Sequence, residues 1–326
     1  MLSIHVATDR GLQRVPDAGA LTDLPTDAVW IDLLNPTSEE EALLERWLTI
    51  DVPSREEMRE IEISSRLFEE DGALYMTVVA LLNADGENPT LTDVTFILVG
   101  GRLVTVRYAE PRPITLFLQR APKIGPACQY ADFVLVGLIE AFIDRIADVL
   151  EHAGLDADRI GDDVFLRESS KPIKTDDFKK TVARIARTGD LTSKARESLV
   201  TISRLLTFMS AGPGSVKLSK DVKLHLKTAV RDANQLADHA TYLATKTEFL
   251  LDATMGLINI EQTNIIKIFS VAAVAMMPPT LIASIYGMNF QFMPELNEKW
   301  AYPMVLVVMI ASALAPYFYF KRKGWL

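Results

Sequence analysis

The sequence predicts an α+β membrane protein with an N-terminal cytosolic α/β domain, a long helical stalk and two C-terminal transmembrane helices. Three observations carry this prediction. Between Ile268 and Ile285 the segment Ile265–Asn289 holds no charged side chain, and an apolar run of about eighteen residues can cross a hydrocarbon core of roughly 30 Å as a helix. A second apolar run, Trp300–Phe320, follows a short polar loop, so the pair reads as a membrane hairpin with everything before Ile265 on one side. Upstream, a mixed strand-and-helix pattern gives way to long stretches of helical periodicity.

The divisions expected are residues 1–128 as the cytosolic α/β domain and 129–264 as a cytosolic helical region whose stalk helix starts at about 215. Residues 265–289 form the first span, 290–299 an external loop, 300–320 the second span and 321–326 a basic cytosolic tail. The N-terminal segment Met1–His5 lacks a basic start and a long apolar core, so it is not expected to be a signal peptide. One cysteine, Cys128, excludes an intramolecular disulfide framework. Of the formal charge of −9, the tail contributes three positive charges, the loop a net −1 and Lys267 one positive charge, so residues before Lys267 carry −12. A surface that acidic is a poor partner for nucleic acid. Lys321, Arg322 and Lys323 directly after the second span obey the positive-inside rule, which puts both termini in the cytoplasm.

Taken in order, Ala28–Leu34 reads as a buried strand, and Thr37-Ser38-Glu39-Glu40 offers a capping box for a helix toward Leu48. Arg66–Glu69 and Ala73–Leu82 flank the turn signal Glu70-Asp71-Gly72, while Thr92–Val99 and Arg102–Tyr108 flank Gly100-Gly101, a hairpin signal. Pro111, Pro113, Pro122 and Pro126 mark the passage to helices. Tyr130–His152 has helical periodicity, Asp156–Glu168 adds the acidic tip Asp158, Asp162 and Asp163, and Thr175–Met209 returns. From Ser215 no proline occurs before Pro278, so one helix on the order of 100 Å is expected to run to Tyr286. Val222, Leu226, Ala229, Ala233, Leu236, Ala240 and Leu243 form an apolar seam at coiled-coil spacing, which predicts a bundle of subunits around a central axis.

Enzyme chemistry is not expected. His5, His152, His225 and His239 are scattered, no His-Glu-x-x-His or Cys-x-x-Cys spacing exists, and no glycine-rich phosphate loop follows a strand. Acidic pairs such as Asp156 with Asp158 and Asp162 with Asp163 suit divalent cations through oxygen ligands, but equally form a solvated face. Asp232, Asp238, Glu248, Asp252 and Glu261 on the stalk share that ambiguity. In the first span, steps of four and three residues from Ile266 give Ser270, Ala273, Met277, Thr280 and Ser284. Such a stripe serves either as a helix-packing seam or as a pore lining. Gly287-Met288-Asn289 then closes the span, with Gly and Asn suited to a left-handed helix end.

Tyr286-Gly287-Met288-Asn289-Phe290, preceded by Met277-Pro278-Pro279-Thr280 and followed by Met293-Pro294-Glu295-Leu296, resembles the CorA family of magnesium and cobalt transport proteins. The closing Tyr319–Leu326 is similar to that family's C-terminus. Gln291 stands where close relatives carry an acid, which implies weaker cation attraction by the outer loop that also holds Glu295. The resemblance implies a homopentamer in the cell inner membrane, with the first span lining the pore, the second outside it and a cytosolic funnel. It implies Mg²⁺ as both transported and regulatory ion, with Co²⁺ as further cargo and Ni²⁺ as an option, while the acidic charge and the missing glycine-rich loop predict no nucleic-acid or nucleotide partner. The entrance would be Gly287, Met288 and Asn289, binding hydrated Mg²⁺ through Asn289. The lining would draw on Ile266, Phe269, Ser270, Ala273, Met277, Thr280 and Ser284, periodicity favouring Ser270 and resemblance Phe269. A basic ring of Lys321, Arg322 and Lys323 would surround the inner end. A Zn²⁺ or other divalent transporter of the same superfamily, and a membrane-tethered structural or sensory coiled-coil protein, are the alternatives.

Overall fold

The computed structural model describes all residues except 17, 87, 124, 166–174, 213–217, 290–292, 295–297 and 325–326. Two units are present, Met1–Leu251 and Asp252–Leu326. In the first, β1 (Leu2–Thr8), β2 (Gly11–Arg14) and β3 (Ala28–Leu34) lead to helix α1 (Ser38–Leu48) and the single turn α2 (Ile63–Arg66). Strands β4 (Leu67–Glu70), β5 (Ala73–Leu82), β6 (Thr90–Val99) and β7 (Arg102–Arg107) follow, then helix α3 (Arg112–Arg120). They form one seven-stranded sheet in the order β2-β1-β3-β7-β6-β5-β4. Only β3 with β7 is parallel.

The local chemistry explains these boundaries. Thr37 accepts the Glu40 N–H while the Glu40 carboxylate takes the Thr37 N–H at 3.0 Å, closing the capping box that starts α1. Asp71 (φ 49°) with Gly72 (φ 77°), and Gly100 (φ 54°) with Gly101 (φ 75°), supply the paired left-handed residues that a tight hairpin turn requires. Nine of the ten β5 residues are buried because both faces of the sheet are covered. Leu74, Met76, Val78 and Ala80 join the core shared with the long helices. Ala73 and Tyr75 join the opposite core with Leu44 of α1. Across the parallel pair lies a buried polar network in which Arg107 donates to both Asp32 oxygens at 2.9 and 2.8 Å. Thr105 donates to Asp32 at 2.6 Å and accepts from the Trp30 indole at 3.1 Å.

Three long helices follow: α4 (Ala131–Phe165), α5 (Thr175–Ser210) and α6 (Lys220–Tyr286). The acidic tip is therefore no separate element: Asp158, Asp162 and Asp163 ride on the last turns of α4, and Glu168 lies outside the described residues. The seam on α6 requires a correction. Val222, Leu226, Ala229, Ala233, Ala240 and Leu243 are buried within the single chain, in one core with α4 and α5, and Leu236 packs against it. A Cβ built on Gly154 of α4 would lie 3.7 Å from Leu243 Cδ2, and one on Gly161 would lie 3.7 Å from Leu250 Cδ2. Residues without side chains thus receive leucines at heptad spacing. The apolar spacing was real, but its partner is the chain's own helices rather than a second subunit. Helix α6 begins at Lys220, five residues after Ser215, which lies outside the described residues.

In the second unit, the C-terminal part of α6 and α7 (Ala301–Arg322) are both long and apolar enough to cross a membrane, and 6% and 0% of their most apolar windows are buried. A soluble core helix of that composition would be covered. On α6 from Lys267 the shielded positions are Lys267, Val271, Ala275, Pro278, Pro279, Ile282 and Tyr286; on α7 they are Ala301, Val305, Met309, Ser312, Ala313, Pro316 and Phe320. Each set falls on a single helical stripe, as expected of two helices in a hairpin shading one another.

Candidate functional site

The residues singled out in the first span all lie on α6 before its end at Tyr286. Ile266, Ser270, Ala273, Met277, Thr280 and Ser284 are exposed, Ile266 by 65% and Met277 by 68%. They occupy the side of the helix opposite the shielded stripe, where Val271 is only 5% exposed. A free apolar face of this kind on a membrane helix is covered in the assembled protein by copies of itself, by lipid or by a narrow path for solvent. Phe269 is exposed by 72% and Ser270 is exposed as well, one on each flank of the stripe, so both positions border the same free face.

Two details bear on what this face can hold. Thr280 Oγ1 donates to the Met276 carbonyl at 2.8 Å, so its hydrogen is committed to the helix and its lone pairs remain for an incoming donor. Gly287 continues the right-handed turn: its N–H bonds the Ala283 carbonyl at 3.0 Å, and the Met288 N–H bonds that of Ile285 at 3.2 Å. Neither Gly287 nor Asn289 has positive φ among the described residues, which corrects the expected left-handed cap. Space at 287 is nevertheless tight. A Cβ there would stand 3.1 Å from the Ala283 oxygen, closer than side chains ordinarily approach. Met288 and Asn289 follow as exposed residues.

Of the outer loop, Phe290, Gln291, Glu295 and Leu296 lie outside the described residues, so the expectations placed on Gln291 and Glu295 have no structural counterpart here. At the other end Lys321, Arg322 and Lys323 are exposed, and Lys323 Nζ sits 5.3 Å from the Tyr319 ring centroid, an amphipathic arrangement typical of a membrane surface.

Three carboxylates of the acidic tip are paired with cations within the chain. Asp156 pairs with Arg159 at 3.3 Å, Asp163 with Arg184 at 2.7 Å, and Asp158 with Lys246 at 2.5 Å. No group of three or more His, Cys, Asp or Glu suited to a metal exists among the described residues. Among the described residues, one chain therefore presents no ready-made cation cage in its acidic tip. Ser312, the one serine or threonine of α7, was not singled out from the sequence, although a single aliphatic hydroxyl in the middle of an apolar run is itself a signal.

The profile of the CorA-like Mg²⁺ transporter proteins matches residues 26–322. The chain belongs to the CorA family. The magnesium transport protein CorA of Haemophilus influenzae is 36% identical over 332 residues, covering 100% of each chain. That of Salmonella typhimurium is 35% identical over 300 residues, covering 92% of each. Among solved structures, the complete CorA magnesium transporter from Methanocaldococcus jannaschii superposes with a TM-score of 0.76 at 18% identity, covering 100% of this chain and 99% of that one. Full-length CmaX gives 0.60 at 14%, covering 100% and 98%. At such identities the structures establish the fold: an N-terminal sheet domain, a long helix and two apolar C-terminal helices are the CorA architecture. The two candidate spans of this chain are thus in keeping with its place in the CorA family.

Proposed function

We propose that this protein carries Mg²⁺ across the cytoplasmic membrane as a homo-oligomeric channel, a pentamer with both termini in the cytoplasm, and that it is a transporter without enzymatic activity. The observation that carries the reading is full-length identity of about a third to proteins named for magnesium transport. It is supported by the span whose motif-bearing stripe is left uncovered within one chain. Co²⁺ and Ni²⁺ are proposed as further cargo.

The proposed mechanism follows from the ion's hydration. Mg²⁺ releases its waters reluctantly, and a hydrated cation presents only O–H donors to its surroundings. A selective entrance is then a ring of neutral acceptors rather than a cage that strips the ion. In this reading the Asn289 carboxamides form that ring, assisted by backbone carbonyls at Gly287 and Met288. The Thr280 oxygens accept from the same waters further along, since their own hydrogens are spent on Met276. Ser284 lines the path between, Ala273 and Ser270 line the path beyond Thr280, and Met277, Phe269 and Ile266 narrow it with apolar walls that close by dewetting. The cationic ring of Lys321, Arg322 and Lys323 frames the inner end. Two charges moving toward an inside-negative compartment gain about 4–5 kcal/mol per 100 mV, enough to drive uptake without nucleotide.

Feedback by internal Mg²⁺ belongs to the same proposal. With Asp156, Asp158 and Asp163 paired inside one chain, the regulatory ions would sit between subunits and shift the population toward the closed state. The test is Mg²⁺ entry into proteoliposomes containing a Mg²⁺-sensitive dye, with and without an imposed inside-negative potential. Potential-dependent entry at low internal Mg²⁺ is expected. Zn²⁺ entry in its place would mean the zinc-transport reading, and no ion entry from folded protein would mean the tethered scaffold.

A further inference from the structure

Prolines remove backbone donors, and α6 carries two in succession, Pro278 and Pro279, without ending. The carbonyl of Ala275 therefore faces a proline at both the third and the fourth position ahead, so neither the 3₁₀ nor the α-helical N–H exists for it. Val274 is better placed, because Met277 still supplies an N–H three residues on. In hydrocarbon, where no water replaces a missing donor, a carbonyl in the state of Ala275 is strongly unfavourable. A donor has to come from another helix, from a side chain or from trapped water.

The companion helix offers one at the same depth. Ala275 lies eleven residues from the end of α6 at Tyr286, and Ser312 lies eleven residues from the start of α7 at Ala301. At 1.5 Å per residue both sit about 16 Å from the loop end of their helix, near the middle of a core roughly 30 Å thick. Both also fall on the shielded stripes of their helices. Ser312 Oγ donates at 2.8 Å to the Met309 carbonyl, an acceptor that already has the Ala313 N–H at the regular position. The hydroxyl thus serves a carbonyl that does not need it, while a carbonyl that does need it lies at the same level. Pro316 removes the regular N–H partner of Ser312's own carbonyl, which loosens α7 at this point and permits the hydroxyl to turn.

We propose that the Ser312 hydroxyl moves from the Met309 carbonyl to the Ala275 carbonyl, forming an interhelical hydrogen bond that holds the double-proline turn of the first span in place. Ser312 is then a positioning residue: it touches no ion, and it fixes the turn from which Met277 and Thr280 project. The hydrogen bond is independent of the transport reading, and only its effect on flux rests on that reading.

The test uses the full chain in lipid bilayers, labelled with ¹³C-carbonyl alanine and ¹⁵N-methionine. Ala275-Met276 is the sole Ala–Met dipeptide in the sequence, so one carbonyl resonance reports the site. Ser312→Ala is expected to move it upfield, as for loss of a hydrogen bond, and Ser312→Thr to leave it in place. On a Pro279→Ala background, where Ala275 regains a backbone donor, Ser312→Ala is expected to have no effect. A resonance that ignores Ser312→Ala, or one that moves equally on both backgrounds, overturns the proposal. Flux supplies the functional arm: Ser312→Ala slows Mg²⁺ entry and Ser312→Thr preserves it. If wild-type protein passes no Mg²⁺ while the resonances behave as stated, the transport reading fails and the hydrogen bond stands.

Discussion

Replacing Leu243 with alanine tests whether the α6 seam stabilises a subunit or assembles several. Leu243 is 2% exposed, and the residue facing its Cδ2 is Gly154, 3.7 Å from where a Cβ would stand. A glycine has no side chain that can relax into the space left by truncation, and the two helix backbones are held apart by neighbouring contacts in the same core. The cavity therefore persists, which places the cost in the upper part of the usual Leu→Ala range, about 3–5 kcal/mol. For a unit of 251 residues that lowers the melting temperature by roughly 6–20 °C. Differential scanning calorimetry of the full protein in detergent, run at several concentrations, measures it. The drop is expected to be independent of concentration, with the oligomer seen by light scattering unchanged below the transition. An unchanged melting temperature together with loss of the oligomer would refute the reasoning, because it would mean that the seam is shared between subunits.

The other predictions concern the sheet and the end of α6. Arg107→Ala leaves the Asp32 carboxylate buried with Thr105 as its remaining side-chain donor and is expected to cost about 3–5 kcal/mol in chemical denaturation, whereas replacing both Asp32 and Arg107 by leucine costs far less. His5 is buried and stacked on Trp30 at 4.7 Å, and burial lowers its pKa from 6.5 to about 4, with Asp32 opposing and Arg14 adding to the shift. Since the folded state holds His5 neutral, the stability it contributes is complete above pH 6.5 and is lost as pH falls toward 4. The loss is about 3 kcal/mol, and a urea titration series should show a shallower acid slope for His5→Phe. Gly287→Ala must displace the Ala283 carbonyl by a few tenths of an ångström; because φ at 287 is not positive, folding is expected to change by less than about 1 kcal/mol while Mg²⁺ flux falls.

Much of the architecture was legible in the chain because it is written in short-range chemistry. The Thr37/Glu40 capping box and the Gly100-Gly101 turn need only local residues, and the limits of β3 and α1 follow from them. The strands β1 and β2 were not distinguished, since Leu2–Thr8 is an ordinary mixed segment whose strand character comes from its pairing with β3. The heptad on α6 shows the limit most clearly. Spacing reports that a helix has an apolar partner, but not whether that partner belongs to the same chain; the glycines at 154 and 161 on α4 carried that information. The candidate site was legible for a different reason. A stripe of hydroxyl, thioether and small side chains inside an uncharged run violates the bland composition that a lipid-anchoring helix would have. The Thr280 to Met276 bond, and the continuation of the right-handed turn through Gly287, depend on backbone geometry that no residue pattern specifies.

The central claim is that the end of the first span forms the entrance for a hydrated cation, and Asn289→Ala tests it most directly. Wild-type and variant proteins, matched for oligomeric state and melting temperature, would be placed in liposomes containing a Mg²⁺-sensitive dye under an inside-negative potential. The account predicts rapid Mg²⁺ entry through the wild type and its loss in the variant, because alanine removes the acceptor oxygen while leaving the helix end intact. Equal entry through both would contradict it and move the selective element away from Asn289.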